Sequence, residues 1–210
     1  MSFVRPVVRD LGLQRSTAPG DLLALGEAIG TLTTAGAGTI TAALLTAGIL
    51  IRTGPVGGYT DTTCTAALLI AALPNCSPGD TFRFRHVNTV AQVMTLAGGT
   101  GCTLGTVPAT TIQNSLFKDY LVTITNATPA TTVVCTIVNG TKVITGMTLA
   151  QTSAISVGQL VTGTGAGASA KVVSIQPGVG VTVDVNCTAD NTAASFTFSP
   201  SYRIDAISMA

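Results

Sequence analysis

The chain has 210 residues, of which 46% are apolar and 9% are charged, and ten Lys and Arg against nine Asp and Glu give a net charge of +1. Globular proteins carry about 25% charged residues, so this balance excludes a nucleic-acid binder, which needs a basic surface, and a disordered chain, which needs low hydrophobicity and high net charge. One histidine and one glutamate (Glu27) leave little acid–base chemistry, so we expect no enzyme, no cofactor and no metal site.

The low charge also bears on assembly. The surface of a small domain usually holds about 25–35% charged residues. The 36 threonines of this chain could wet an uncharged surface. Alternatively, much of the surface is buried against other copies or partners. We favour a mixture of both, in which the chain is a component of an oligomer or lattice.

Residues 1–35 are predicted to form an extended N-terminal arm. Proline and glycine interrupt the arm and no periodicity persists along it, but Asp21 could cap a short helix over Leu22–Ile29. An ordered arm of this kind lies on a partner, and a frayed tail is the alternative. Met1–Asp10 lacks the apolar stretch of a secretory signal, and no apolar run approaches the ~20 residues of a membrane-spanning helix. We therefore expect a soluble protein without a membrane partner.

The best helix of the sequence is predicted over Asp61–Leu73. Asp61, Thr62 or Thr63 would cap its first turn, alanine and leucine supply helix propensity, and Pro74 would end it.

From Asp80 onward the pattern predicts strands. Thr81–Val87 alternates phenylalanine with arginine, which gives one apolar and one wet face. Asn139-Gly140 between two apolar runs predicts a hairpin with a type I′ turn. Short strands at this spacing are typical of a sandwich or barrel. Further strands are predicted at 91–96, 102–104, 109–113, 119–125, 132–138, 141–146, 158–163, 170–175, 180–185, 195–198 and 202–207.

Aromatic residues divide the chain. None occurs from Thr132 to Thr192, whereas residues 1–120 hold six of the nine. We therefore predict a mainly β protein: an antiparallel β-sandwich or barrel with one short helix, plus a smaller inserted β module. The core domain would comprise 36–134 with 196–210, and the module 135–195 would have a core of valine and isoleucine.

Two blocks of the sequence resemble known groups of proteins. The series TAALLIAAL, GDTFRFRHVNT, LAGGTGCTLGT and FKDYLVTITN, within about 35–135, is similar to small virion proteins of tailed bacteriophages. The block VITGMTLAQTSAISVGQLVTGTGAGASAKVVSIQPGVGVTV resembles a β module of phage structural proteins. The resemblance implies a capsid decoration (cement) protein, commonly a homotrimer, bound across junctions of the shell, and it carries over no catalytic residue.

The residues that could take part in catalysis or ligand binding are instead interpreted as structural. His86 shares the apolar face of its strand, so we expect a core or subunit-interface histidine; a Ser–His–Asp triad would also need a G-x-S-x-G elbow, which is absent. Gly163–Gly167 is predicted to be a tight β loop, because no Lys-Ser/Thr follows it as in a phosphate loop. Asp184, Asn186 and Asp190 lack the spacing of a calcium loop.

The acidic residues and cysteines are also interpreted as structural. Asp61, Asp80 and Asp119 are scattered at caps and turns, which does not favour a glycosidase pair. The cysteine count of five is odd and no CxxC occurs, which argues against zinc. We expect buried reduced thiols, with one or two bridges, including bridges between subunits, as the alternative.

These inferences give a structural virion protein that decorates and stabilises a bacteriophage capsid. Its partners would be itself and the major capsid protein, and it would lie on the capsid surface after synthesis in the host cytoplasm. The alternatives are a tail-fibre, spike or collar subunit and a non-viral adhesin, which the missing signal disfavours. Arg83 and Arg85 are assigned to a solvated face or to a subunit or shell contact. The predicted arm contacts with the shell are Arg5, Arg9, Leu11, Leu13 and Arg15.

Overall fold

The computed structural model describes residues 13–14, 24–25, 28–105 and 110–207. Within these ranges the protein is mainly β, as the sequence predicts, with eighteen strands and three short helices. The first two strands, β1 (Leu13–Gln14) and β2 (Ala24–Leu25), form an antiparallel pair of their own.

The remaining strands form three sheets. In chain order they are β3 (Ala28–Leu32), β4 (Thr39–Ile40), β5 (Gly48–Arg52), β6 (Tyr59–Thr63), β7 (Thr81–Asn88), β8 (Met94–Ala97), β9 (Cys102–Leu104), β10 (Thr111–Ile112), β11 (Phe117–Asn126), β12 (Thr131–Ile137), β13 (Val143–Thr145), β14 (Leu160–Thr162), β15 (Val172–Gln176), β16 (Gly180–Val183), β17 (Asn191–Ser199) and β18 (Ser201–Ala206).

Between β3 and β11 the chain passes back and forth between two sheets. One sheet has six strands in the order β3-β5-β7-β11-β18-β9, and the other has four in the order β10-β8-β6-β4. From β3 to β8, each strand reaches its in-sheet neighbour through a strand of the other sheet, and the neighbours therefore run parallel. Strands β10, β11 and β18 then add antiparallel pairs.

The parallel pairs depart from the antiparallel arrangement that the sequence predicts. Nine of the fourteen pairings in the described residues are antiparallel and five are parallel. The reason is that side chains alternate with period two in both kinds of strand. Hydrophobic alternation therefore predicts a strand without predicting its direction.

The third sheet is built by the six strands between Thr131 and Ser199. Its order is β14-β17-β12-β13-β16-β15, and all of its pairings are antiparallel. The predicted module boundaries of 135 and 195 fall inside β12 and β17. After the third sheet, strand β18 returns to the sheet that contains β11 and pairs with β11.

Two hydrophobic cores correspond to this division. The first collects inward side chains from both earlier sheets, including Phe82, Tyr120 and Met94. The second lies in the third sheet and contains Phe196 and Phe198, both fully buried. The expectation that this core holds only valine and isoleucine is therefore wrong, because β17 extends beyond the aromatic-free segment.

The three helices correct the prediction of a single one. They are α1 (Ala42–Thr46), α2 (Ala66–Ala72) and α3 (Leu149–Ser153). The predicted helix is present as α2, but it begins after Thr65, whose hydroxyl accepts a hydrogen bond from the Leu68 amide. Asp61–Thr63 belongs to β6 instead. The helix predicted over Leu22–Ile29 is also wrong, since Ala24–Leu25 and residues from Ala28 onward are strands.

The Asn139-Gly140 hairpin is confirmed in its pairing but not in its turn type. Strands β12 and β13 pair antiparallel on either side of it. Gly140 has a φ of +77°, but Asn139 is not among the residues with positive φ. A type I′ turn needs positive φ at both central residues, so the turn is of another type.

Candidate interaction surface

The six-stranded sheet of β3, β5, β7, β11, β18 and β9 has one face toward the first core. Its other face, which points away from that core, is here called the outer face. Strand β7 shows how the sequence builds both. Phe82, Phe84 and His86 point into the core and are buried, while Arg83 and Arg85 are exposed on the outer face. The alternation predicted for this strand is therefore confirmed, and the core assignment of His86 with it.

Arg85 is held in a bidentate ion pair on this face. Its Nε donates to Oδ1 of Asp119 on β11 at 2.6 Å, and its Nη2 donates to Oδ2 at 2.9 Å. The guanidinium carbon also lies 4.2 Å from the ring centroid of Phe117. These hydrogen bonds raise the pKa of Arg85. The pair is partly exposed to water, which screens its charges, so it contributes little to folding.

The other charges of the outer face lie nearby. On β18, Arg203 forms an ion pair with Asp205, with an Nη2–Oδ1 distance of 2.7 Å. Arg83 forms no ion pair with any described residue. Together with Arg85 and Asp119, the face carries three cations and two anions.

Apolar side chains make up the rest of the outer face. Ile29 on the edge strand β3 is 66% exposed, and Ile207 after β18 is 44% exposed. No other described element covers these residues. Five further side chains on the same face are half-buried: Ile49, Ile51, Val87, Phe117 and Leu121.

A fully buried ion pair lies beneath the sheet, and the sequence interpretation missed it. Arg52 Nε donates to Asp61 Oδ2 at 2.8 Å, and both side chains have no exposed surface. The second Asp61 oxygen accepts the Gly38 amide at 2.9 Å. A signal was present, because Arg52 follows Leu50 at spacing two and therefore shares its buried face. Arg52 also donates to the carbonyl oxygens of Leu32, Thr34, Gly36 and Thr53.

This pair has a structural role. Its hydrogen bonds join the ends of β3 and β5 and the middle of β6 to the loop over 33–38. The Arg52 guanidinium also lies 4.8 Å from the Tyr59 ring centroid. A buried cation needs such a complete set of partners, since an unpaired one would be very costly. Every charged atom faces protein groups, and the arrangement offers no open position to a ligand.

His86 is buried beside this network. Neither of its ring nitrogens has a hydrogen-bond partner among the described residues. Its neighbour across the ladder, Lys118, donates to the Thr111 carbonyl at 2.6 Å. Burial, together with the positive charge of Arg52, lowers the pKa of His86 to about 3. The imidazole is therefore neutral at pH 7 and enclosed, which is unsuited to catalysis.

The predicted arm contacts fall mostly outside the described residues. Arg5, Arg9, Leu11 and Arg15 lie there, so their assignment to the shell stays a prediction. Leu13 lies in β1, where its backbone is paired with Leu25. Residues 28–32, predicted as part of the arm, form the edge strand β3.

The cysteines and the calcium candidates take structural positions. All five cysteines are free thiols, and Cys64, Cys135 and Cys187 are buried in the two cores. Asp184 accepts the Lys171 amide, and Asp190 accepts the Asn139 amide. Nowhere in the described ranges do three or more His, Cys, Asp or Glu side chains group as metal ligands.

A polar cleft of about 590 Å³ lies between the first two large sheets with β18, here called the first unit, and the third sheet, here called the second unit. The glycine-rich turn Gly98–Gly101 forms one wall, and Ser169, Lys171 and Asp184 contribute to the other. The backbone of this turn is largely engaged, since the carbonyls of Gly99, Thr100 and Gly101 each accept a hydrogen bond.

Comparisons with known proteins found no match to this chain among protein-family models, curated proteins or solved structures. In the described part of the chain, no helix has the length and apolar character needed to cross a bilayer.

Proposed function

We propose that this chain is a structural protein of a tailed-bacteriophage virion, which decorates the capsid and stabilises it by binding across shell subunits as an oligomer. The observation that carries the proposal is the outer face. It combines exposed and half-buried aliphatic side chains with ordered arginine–aspartate pairs. Contiguous apolar surface of this kind marks a protein contact in a soluble protein.

The distribution of charge supports the same function. The outer face holds five charged residues of a chain that has only ten basic and nine acidic ones. Removing an unpaired charge from water is expensive, whereas threonine, glycine and valine surfaces can be buried at low cost. A charge-poor β protein with its two exposed ion pairs on one face is suited to repeated packing in a lattice.

The alternative is a tail-fibre, spike or collar subunit that binds a ligand or another tail protein. The polar cleft between the two units favours it, because ligand sites commonly lie between domains and have volumes of about 300–1,000 Å³. The cleft has no aromatic lining residue, and aromatic faces are the usual means of gripping a sugar. Capsid decoration is therefore the better-supported proposal.

Immunogold electron microscopy of purified virions, with antibody against this chain, tests the proposal. Label distributed over the head is the expected result. Label confined to the tail would overturn capsid decoration in favour of the alternative. A virion preparation that contains no such chain by mass spectrometry would overturn both.

A further inference from the structure

The strand register defines which side chains are neighbours on the outer face. Arg85 on β7 is paired with Asp119 on β11, and Val87 is paired with Phe117. On the flanks of this central pair of strands, Ile49 of β5 adjoins Arg85, and Ile207 after β18 adjoins Asp119. One row across the sheet therefore reads Ile49, Arg85, Asp119, Ile207.

This row is self-complementary. Consider two copies stacked face to face about a two-fold axis that runs parallel to the strands, midway between β7 and β11. The rotation reverses the order of the strands and keeps each row. Arg85 then lies opposite Asp119 of the other copy, and Ile49 lies opposite its Ile207. In the next row, Val87 lies opposite Phe117.

The charges favour a second copy over a partner of another kind. The face carries cations and anions together, so a strongly acidic or strongly basic partner would leave one sign unpaired. The two-fold arrangement pairs the Arg85 row and the Val87 row with complementary partners, and in the following row it places Arg83 opposite Leu121. In an isologous contact, the same patch serves both sides.

The size of the face is also adequate. Its five strands present between two and five outward residues each, and about sixteen such positions at about 4.8 Å by 6.7 Å cover roughly 500 Å² in projection. A standard interface buries about 800 Å² of accessible surface per partner, and accessible area exceeds projected area. Aligned sheets pack about 10 Å apart with their strands within about 30°, which keeps the central pairs in register.

We propose that the outer face of the six-stranded sheet binds the same face of a second copy of this chain, with β7 of each copy over β11 of the other. This inference rests on the proposed function in that it names the partner of the same face. It differs from the trimer that the resemblance implies, because a three-fold axis does not bring this row onto itself.

Sedimentation equilibrium of the full chain tests the stoichiometry. A mass of twice the 21.0 kDa monomer is expected. A monomer at all concentrations up to about 100 μM, or a trimer, would overturn the inference.

Charge exchange tests the register. Arg85→Asp alone and Asp119→Arg alone each place like charges opposite each other, and like charges across an interface cost several kcal/mol. Each variant should dimerise at least about 100-fold more weakly than the natural chain. An equimolar mixture should form heterodimers, because opposite charges then face each other at both positions. Lys142→Asp, at an exposed position of the third sheet, is the control and should leave dimerisation unchanged.

Folding does not confound this test. Each variant should keep the circular-dichroism spectrum of the natural chain, since the exchanged pair is partly exposed. If a variant folds poorly alone, heterodimer formation in the mixture still reports the register. Variants that dimerise normally, or folded variants that do not associate on mixing, would overturn the inference.

The two proposals fail separately. A chain that is monomeric in solution but labels the virion head would overturn the two-fold contact and leave capsid decoration standing. A dimer with the expected charge rescue that is absent from virions would support the contact and overturn capsid decoration.

Discussion

The buried histidine makes the stability of this protein dependent on pH. His86 is neutral in the folded state, where its pKa is about 3, and it regains an ordinary pKa of 6.5 when the chain unfolds. Between these values the unfolded state binds a proton that the folded state does not. The contribution of His86 to the free energy of unfolding is therefore fully present above pH 6.5, and it is lost as the pH falls toward 3.

The magnitude follows from the two pKa values. Each factor of ten is worth 1.36 kcal/mol, so the loss amounts to about 5 kcal/mol once the pH is well below 3. At pH 5 the unfolded histidine is almost fully protonated and the folded one is not, which gives a loss of about 2 kcal/mol relative to pH 7.5. His86 is the only histidine, so no other side chain has an ordinary pKa between pH 5 and pH 7.5.

Urea denaturation at pH 7.5 and pH 5.0 measures this difference. The natural chain should lose about 2 kcal/mol, and His86→Leu should lose less than about 0.5 kcal/mol, because the titrating group is gone. Leucine also removes two buried nitrogens without partners, so the variant should be at least as stable as the natural chain at pH 7.5. An equal pH dependence in both proteins would refute the reasoning that the imidazole is enclosed and neutral.

Two further predictions concern stability and are measured by the same denaturation. Asp61→Asn leaves the Arg52 cation buried without its counter-ion and should cost about 3–5 kcal/mol, whereas Asp190→Asn, at an exposed position outside the outer face, should change stability by less than about 0.5 kcal/mol; similar costs would contradict the role assigned to the buried pair. Gly140→Ala should cost about 1 kcal/mol because its φ is +77° although its surroundings are open, and Gly57→Ala, at an equally open position without positive φ, should be neutral or stabilising. A destabilised Gly57 variant would show that space, and not backbone conformation, limits these turns.

The elements that depend on local sequence patterns were predicted correctly from the sequence. The two faces of β7 and the long strand β11 follow from apolar residues at every second position, and α2 follows from alanine and leucine before Pro74. The cap of α2 was assigned to the wrong residues because Asp61, a good capping residue, was engaged elsewhere. Its partner Arg52 lies on a neighbouring strand, and no local pattern reports which distant cation a carboxylate meets.

The path of the chain was harder to predict than its elements. The alternation of β3 to β8 between two sheets depends on where each turn directs the next strand, and several of these turns have the same glycine- and threonine-rich composition. The outer face was predicted only at Arg83 and Arg85. Its apolar residues come from four strands and from Ile207 after β18, so the face can be recognised only once the order of the strands in the sheet is known.

The position of the third sheet in the chain has a consequence for how this protein can vary. Strands β11 and β18 are direct neighbours, and Asn126 is paired with Ser201 at the end where the chain leaves and returns. To the first unit, the whole of 127–200 is therefore equivalent to the loop of a hairpin. A loop of any size is tolerated when its two ends already lie together. The first unit can thus keep its sheet and its outer face while the segment inserted between β11 and β18 is replaced by a different domain.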